Sequence, residues 1–199
     1  MRTQRQPSER RTALLDAALD LFDSRGYAAT TMSAIQKQAQ ASIGSLYHHF
    51  PSKAHLAAQL QIRALADYQR AFSDVLTAHP NDAQAAVREA VHTHLRWVSE
   101  NPRDARLLYT LNDPDVTALA AEDIAHLNKQ FFAVVDTWYR SLSAQGTLRE
   151  VPFDTIAWIW IGPAQEAARA HLTAHPPLPI PPHHIEALAT AAWNALRTP

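Results

Sequence analysis

Residues 30–50 carry hydroxyl, imidazole and phenol side chains at spacings that suit contact with a DNA duplex. Thr30 or Thr31 can cap one short helix, and Ser42 can cap a second after a turn of about three residues. The outer face of the second helix consists of Ile43, Gly44, Ser45, Tyr47 and His48. Because this face is small around Gly44, the pattern predicts a helix whose backbone can approach base edges in a major groove.

The flanking segments predict the helices that hold this pair in place. Apolar residues at helical spacing predict a first helix over residues 8–26, ended by Gly26. A second apolar pattern predicts a long helix over residues 53–79. Residues 1–7 are polar and basic without an apolar period, and they are expected to form a flexible arm.

The run GYAATTMSAI...SIGSLYHHFPSKAHL resembles the DNA-binding domain of the tetracycline-repressor (TetR) family of bacterial regulators. The resemblance covers residues 8–60 and rests on the spacing of Gly, Thr, Ile, Ser, Tyr, Phe and Lys. One departure is Gln40-Ala41, where the family has glycine and a small apolar residue in the turn between the two helices. A left-handed glutamine costs about 1 kcal/mol relative to glycine, which a packed domain can absorb.

The resemblance implies a role for each residue of this segment. It implies that Ser42, Ile43, Gly44 and Ser45 face bases, that Tyr47, His48, His49 and Lys53 reach phosphates, and that Thr31 donates to the DNA backbone. The positions of Tyr47, about one turn beyond the base-facing end, and Lys53, at a helix start, independently favour phosphate contacts. The alternative is that Tyr47 and His49 only cover the core of a small domain.

Composition favours an all-α protein large enough for a sizeable core, with 199 residues, 47% hydrophobic side chains and only 4 glycines. We expect a three-helix helix-turn-helix DNA-binding domain over residues 1–53. A long helix should join it to a helical ligand-binding and dimerisation domain over residues 54–199. Residues 1–53 contain seven basic and four acidic side chains, and the remainder 11 and 15. A basic head on an acidic body suits a duplex-facing module, although an excess of this size also arises by ordinary scatter.

Several classes of function lack support in the sequence. The chain has no cysteine, and it carries no hydrolase, zinc-protease, phosphate-loop or dinucleotide motif, so neither an enzyme nor a cofactor is expected. His171 and His175 have helical ligand spacing, but no carboxylate accompanies them and Pro176 follows, so no metal site is expected. Without a signal peptide or an 18-residue apolar run, the protein is expected to be cytoplasmic.

Beyond Pro80, prolines separate further predicted helices, which begin near residues 81, 102, 114, 154 and 182. Polar and aromatic residues that interrupt apolar stripes are candidates to line an effector pocket between these helices. They are His94, Trp97, Tyr109, Asn112, Trp138, Tyr139, Gln165 and Arg169. The alternative is that these side chains are hydrogen-bonded members of the core or its rim.

The predicted helix over residues 154–171 is apolar on nearly all sides around residues 156–161, and Pro163 should bend it. Helices at this position pair with their copies as a four-helix bundle in the family that the chain resembles. The expected dimer-interface residues are Trp158, Trp160, Ala164, Ala167, Ala168, Ile185, Leu188 and Ala192.

Together these features favour a homodimeric, ligand-responsive transcriptional regulator. We expect a repressor that leaves a palindromic, double-stranded operator when a small hydrophobic or aromatic effector binds the C-terminal domain. The alternative is a helical adaptor that binds a protein partner through residues 156–170 without DNA. The sequence leaves the effector, the operator and the sign of regulation open.

Overall fold

The computed structural model describes residues 7–174 and 179–199, and these residues form ten α-helices and no β-strand. The helices are α1 (Pro7–Arg25), α2 (Met32–Gln38), α3 (Ile43–His49), α4 (Lys53–Ala78), α5 (Ala83–Glu100), α6 (Pro102–Thr110), α7 (Pro114–Ala144), α8 (Phe153–Trp160), α9 (Gly162–Thr173) and α10 (Pro182–Leu196). The all-α fold predicted from the sequence is confirmed. The predicted arm, apart from Pro7, lies outside the described residues.

Side-chain caps set the start of the helices that matter most for function. The Thr31 hydroxyl accepts from the backbone N–H of Ala34 at 3.2 Å, and the Ser42 hydroxyl accepts from that of Ser45 at 3.1 Å. Each bond satisfies an N–H group that the first helical turn leaves without a partner. The predicted caps of the two short helices are therefore present, with Thr31 rather than Thr30 capping α2.

The turn between α2 and α3 contains a residue in the left-handed conformation that is not glycine. Gln40 has φ 52°, and the next N–H, of Ala41, donates to the carbonyl of Gln36 at 3.1 Å. The Gln36 side-chain amide donates in return to the carbonyl of Ala41. These two bonds hold the turn and offset the cost of the left-handed conformation at Gln40.

One predicted helix is two helices in the structure. The segment expected to run over residues 154–171 with a bend is interrupted at Ile161, where α8 ends and α9 begins. Pro163 lies in the first turn of α9, where its missing N–H is tolerated, whereas the interior of a continuous helix would lose a hydrogen bond there. In contrast, α7 runs unbroken for 31 residues.

The chain divides into two compact units. The first comprises the described residues up to Leu65 together with Arg103–Ala125, and its core includes Leu14, Ile35, Leu46, Phe50 and Leu56. The second comprises Ala66–Pro102 and the described residues from His126 onward, where α10 packs along α5, α8 and α9. These two units are defined by how the residues pack. The division into a DNA-binding domain up to residue 53 and a ligand-binding domain from residue 54 stays a prediction. No helix within the described ranges is long and apolar enough to cross a membrane.

Candidate nucleic-acid interface

Helix α3 is anchored on one side and exposed on the other. Leu46 and Phe50 are 1% and 2% exposed, whereas Ile43 and Tyr47 are 66% and 52% exposed. Large apolar side chains with this much exposure are few on the surface of a monomer and are typical of surfaces that bind a partner. The structure therefore turns the predicted base-facing side of α3 away from the core.

The hydroxyl groups at the two caps retain a donor. A serine or threonine hydroxyl can accept and donate, and the caps use Thr31 and Ser42 only as acceptors. Both residues are exposed, while Ser45 is partly buried one turn further along. The O–H groups of Thr31 and Ser42 can therefore donate to an acceptor outside the protein, such as a phosphate oxygen.

Neither the backbone conformation at Gly44 nor the packing around it requires glycine. Its φ lies outside the left-handed region, and a Cβ at this position would meet no atom within 4 Å. A glycine inside a helix is unfavourable relative to alanine by roughly 0.5–1 kcal/mol. The absence of a side chain at Gly44 therefore serves packing neither within α3 nor against its neighbours, and it leaves room for an external surface to approach the helix backbone.

The two histidines at the end of α3 differ in exposure. His48 is exposed, whereas His49 is partly buried, with its ring 6.4 Å from that of Phe50 and 5.2 Å from that of His48. His48 is available to reach a phosphate as predicted. His49 covers part of the domain core, which is the alternative that the sequence left open.

Lys53, predicted to contact a phosphate, is engaged within the domain. Its Nζ donates to the carbonyl of Tyr27 at 2.7 Å and lies 4.2 Å from the centroid of the Tyr27 ring. A second, longer bond reaches the carbonyl of Ala28 at 3.4 Å. These contacts tie the start of α4 to the loop before α2, and a phosphate contact by Lys53 stays a prediction.

Further basic residues near Thr31 were not among the predicted contacts. A surface cleft of about 510 Å³ is lined by Thr31, Ser33, Arg25 and Lys37, together with their neighbours. Arg25 lies in the last turn of α1 and Lys37 in the last turn of α2. Two cations at successive helix ends are visible in the sequence, but only the packing of α1 against α2 brings them to one cleft.

The eight predicted effector-pocket residues are divided between the two compact units. His94, Trp97, Trp138 and Tyr139 are buried in the second unit, and each is hydrogen-bonded there. The bonds join His94 Nδ1 to Tyr68 Oη (3.0 Å), Trp97 Nε1 to Asp67 Oδ2 (2.9 Å), Trp138 Nε1 to the His79 carbonyl (3.1 Å) and Tyr139 Oη to the Arg149 carbonyl (2.9 Å). Burial lowers the pKa of His94 to about 4. These four side chains fit the alternative of a satisfied core.

The other four candidates lie elsewhere. Tyr109 and Asn112 belong to the first unit, and burial raises the pKa of the Tyr109 hydroxyl to about 12. Asn112, Gln165 and Arg169 are exposed, and Arg169 Nε donates to Glu166 Oε2 at 2.9 Å. A role for any of the eight residues in binding an effector stays a prediction.

A cleft of about 470 Å³ does lie within the second unit, between α4 and α5. Of the predicted residues, only Trp97 lines it. Its charged lining consists of Asp74, His79, Glu89, Arg96 and Glu100. Three carboxylates against one guanidinium favour a negative potential in this cleft.

The predicted dimer-interface residues divide by burial. Trp158 is 72% exposed, and Ala167, Ile185 and Leu188 are partly exposed. Trp160, Ala164, Ala168 and Ala192 are each at most 4% exposed in the single subunit. Side chains already covered by their own subunit offer little surface to a second copy, and an interface role for these four stays a prediction.

Metal ligands do not assemble in the part of the chain that the structure describes. Within residues 7–174 and 179–199, no three His, Asp or Glu side chains form a group able to hold a metal ion. His175, which has the spacing to bind a metal together with His171, lies outside the described residues.

Helices α2 and α3 are short and capped, and they pack with the longer α1. The exposed face of α3 is small around Gly44. This arrangement is that of a helix-turn-helix DNA-binding domain. Residues 14–60 match the family described as "Bacterial regulatory proteins, tetR family". Over these residues the resemblance seen in the sequence is confirmed, and the matched family is one of regulatory proteins.

Similar proteins extend the comparison. The HTH-type transcriptional regulator UidR of Escherichia coli K12 is 41% identical over 73 residues, which are 37% of this chain and 35% of UidR. The HTH-type transcriptional repressor KstR of Rhodococcus jostii RHA1 is 48% identical over 48 residues, 24% of this chain and 23% of KstR. The matched parts therefore span about a third or less of these relatives.

The fold similarity covers nearly the whole chain. The crystal structure of a TetR family transcription regulator from Marinobacter aquaeolei VT8 matches with a TM-score of 0.71 at 22% identity, over 96% of this chain and 97% of that one. At this identity the likeness concerns the fold. It extends the family's all-α architecture to residues beyond the DNA-binding domain.

Proposed function

We propose that this protein is a ligand-responsive transcriptional regulator, acting as a repressor, that binds a palindromic DNA operator as a homodimer. The observation that carries the DNA-binding part is the exposed face of α3, where Ile43 and Tyr47 project outward and flank the bare backbone at Gly44. UidR and KstR are named as a transcriptional regulator and a transcriptional repressor, which supports the same function here.

Base recognition is assigned to the N-terminal part of α3. Ser42 and Ser45 carry hydroxyls that can donate to or accept from base edges, and Ile43 can contact a thymine methyl group. Gly44 lets the helix come close enough for these short side chains to reach. A change at Ser45 should therefore alter which operator is preferred.

Phosphate contacts are assigned to the residues around this base-facing part. Thr31, Tyr47 and His48 are exposed at the surface that continues from α3 to the start of α2. Arg25 and Lys37 extend it with two cations at the cleft beside Thr31. Such contacts orient a protein on the duplex and supply most of its salt-dependent affinity.

Gly44→Ala should separate DNA contact from folding. We expect operator affinity to fall at least tenfold, because the added methyl group holds the helix away from the bases. The free energy of unfolding should rise by up to about 1 kcal/mol, because alanine is the better helix former. Affinity is measured by fluorescence anisotropy on a duplex selected from a random pool, and stability by urea unfolding.

Gly162→Ala is the matched control for this experiment. A Cβ at Gly162 would meet only the carbonyl of Ala157, at 3.9 Å, which is ordinary contact. This variant should keep both fold and DNA affinity. If Gly44→Ala and the unmutated protein bind the operator with equal affinity, the proposal that the α3 backbone approaches the bases is wrong. An affinity for the duplex that does not fall as salt rises would mean that phosphate contacts are absent, and it would favour the adaptor function, which uses an apolar surface.

The homodimer is assigned to the exposed apolar side chains of the second unit. Trp158 has the largest exposed fraction of the large apolar residues among those described, and Ile185 and Leu188 of α10 are partly exposed. Covering an indole of this size is a strong contribution to an interface, since tryptophan is enriched among residues that dominate binding energy.

Trp158→Glu should convert the dimer to a monomer and weaken operator binding at least a hundredfold, because a charge replaces the apolar contact and only one half-site can be held. Light scattering at micromolar concentration measures the mass, and circular dichroism verifies the fold. Leu119→Glu is the control, since Leu119 is 42% exposed but belongs to the first unit. It should remain dimeric. A monomeric unmutated protein, or a dimeric Trp158→Glu, would contradict the proposal.

The effector site is assigned to the second unit, where the cleft between α4 and α5 offers room for a small molecule. Its three carboxylates favour a cationic effector, and Trp97 at its wall favours an apolar or aromatic portion. To reverse a 1:99 population, such a molecule must bind the DNA-free conformation about 10⁴-fold better than the DNA-bound one.

A further inference from the structure

A second cavity lies in the first compact unit, between α1 and α6. It is a partly open groove of about 210 Å³. Its floor is apolar and is formed by Leu19, Phe22, Leu107 and Leu111. A cavity of about 150 Å³ is large enough for benzene, so this groove has the size for a single-ring molecule rather than a larger effector.

Two aromatic rings give the groove a preference in shape. Phe22 and Tyr27 meet edge to face, with centroids 5.3 Å apart and ring planes at 61°. Aromatic rings favour such edge-to-face or offset arrangements, so a third ring gains contact beside this pair. The Lys53 ammonium lies 4.2 Å from the centroid of the Tyr27 ring and donates to the Tyr27 carbonyl, which holds this residue in place.

Two guanidinium groups at the groove can bind a carboxylate. Arg103 and Arg106 both line it, and Asp23 is the one carboxylate among the lining residues found in the described chain. Asp23 accepts from Nε and Nη2 of Arg106 at 2.6 and 3.1 Å, and Arg103 pairs with Asp20. A guanidinium has five N–H donors, so these bonds leave donors on both arginines for a further carboxylate.

Charged groups near Tyr27 are of both signs, since the Lys53 ammonium lies 4.2 Å from its ring centroid. Asp113 and Asp115 lie close enough to Tyr27 to help raise the pKa of its hydroxyl, after the larger effect of burial. A bound molecule with one carboxylate should point this group toward the guanidinium donors of Arg103 and Arg106, and place its ring toward Phe22 and Tyr27.

We propose that the groove between α1 and α6 is a binding site for a small aromatic monocarboxylate. The site differs in place and in charge preference from the effector cleft proposed in the second unit. It does not rest on the proposed DNA-binding function, because its occupancy can be measured without DNA.

Benzoate is the probe, titrated into the full-length protein by calorimetry and ligand-observed NMR. We expect saturable binding of one molecule per chain with a millimolar Kd. Acetate lacks the ring and benzylamine reverses the charge, so both should bind at least tenfold more weakly. The class of ligand is wrong if benzylamine matches benzoate, and the site is wrong if benzoate shows no saturable binding at tens of millimolar.

Two matched variants locate the binding. Thr110 is exposed at the rim of the groove, and Thr110→Trp should fill it and weaken benzoate at least tenfold. Thr117→Trp makes the same change at an exposed position of α7 outside the lining residues, and it should bind like the unmutated protein. Circular dichroism verifies that both fold. Unchanged binding by folded Thr110→Trp, or equal loss in both variants, would overturn the assignment to this groove.

The carboxylate contact has its own test. Arg106→Lys keeps the positive charge but cannot present paired N–H groups, so benzoate affinity should fall at least fivefold while benzylamine binding stays unchanged. Equal benzoate affinity in Arg106→Lys and the unmutated protein would exclude the proposed orientation of the ligand.

Discussion

Trp160→Ala should lower the free energy of unfolding by about 3–5 kcal/mol, as expected for removal of a fully buried tryptophan. Trp160 is 2% exposed, and its Nε1 donates to the carbonyl of Val87 at 3.0 Å. Its ring stacks on Trp138 at 5.5 Å and meets Phe72 edge to face at 5.3 Å. The substitution removes all of these contacts and leaves a cavity between α4, α5 and α7. Urea unfolding measures the loss.

Trp160→Phe is the graded control for this prediction. It retains an aromatic ring against Trp138 and Phe72 but loses the indole N–H, so the loss should be smaller than for alanine, about 1–2 kcal/mol. The sequence placed Trp160 at the dimer interface. If Trp160→Ala changes the unfolding free energy by less than about 1 kcal/mol and instead dissociates the dimer, that earlier assignment is correct and the burial argument fails.

The two tryptophans of α8 mark a limit of what sequence patterns predict. At 3.6 residues per turn, Trp158 and Trp160 project about 200° apart, on opposite sides of the helix. The apolar composition of residues 156–161 predicts burial on all sides. It does not say which side faces the subunit's own core and which faces a partner, because that depends on where α5 and α7 pack. The structure directs Trp160 inward and Trp158 outward.

Local signals predicted the DNA-binding domain well. The caps at Thr31 and Ser42, the glycine at the end of α1 and the anchors Leu46 and Phe50 act within a few residues of chain, so their consequences can be read directly. Helix boundaries beyond Pro80 followed from proline for the same reason. The break at Ile161 differs, because a proline two residues inside a pattern permits either a bend or a new helix start.

Sequence spacing does not tell whether a predicted effector residue binds a ligand or a partner within the protein. Polar groups within apolar stripes are candidates to orient a ligand, but Trp138 donates to the backbone carbonyl of His79, 59 residues away, and Trp97 donates to the carboxylate of Asp67, 30 residues away. Such partners are brought close only by tertiary packing. A buried polar group satisfied in this way has no need of a ligand, and sequence spacing cannot distinguish the two situations.

His94 should make the stability of the protein depend on acid. Burial lowers its pKa to about 4, whereas in the unfolded chain it takes the ordinary value of 6.5. Above pH 6.5 both states are neutral at this residue and it contributes no pH dependence. As the pH falls from 6.5 to 4, the unfolded chain binds a proton that the folded protein does not, so stability is lost. The full loss from this group is about 3 kcal/mol.

His94→Gln isolates this contribution from that of the carboxylates, which also titrate toward low pH. Glutamine can still bond the Tyr68 hydroxyl, which lies 3.0 Å from His94 Nδ1, but it cannot take up a proton in this range. Urea unfolding from pH 7.5 to 4 should therefore show a shallower fall for His94→Gln, with the difference between the two proteins growing below pH 6.5. Parallel curves would mean that His94 is protonated in the folded state, which requires the environment between Tyr68 and Trp97 to admit water or a counter-charge.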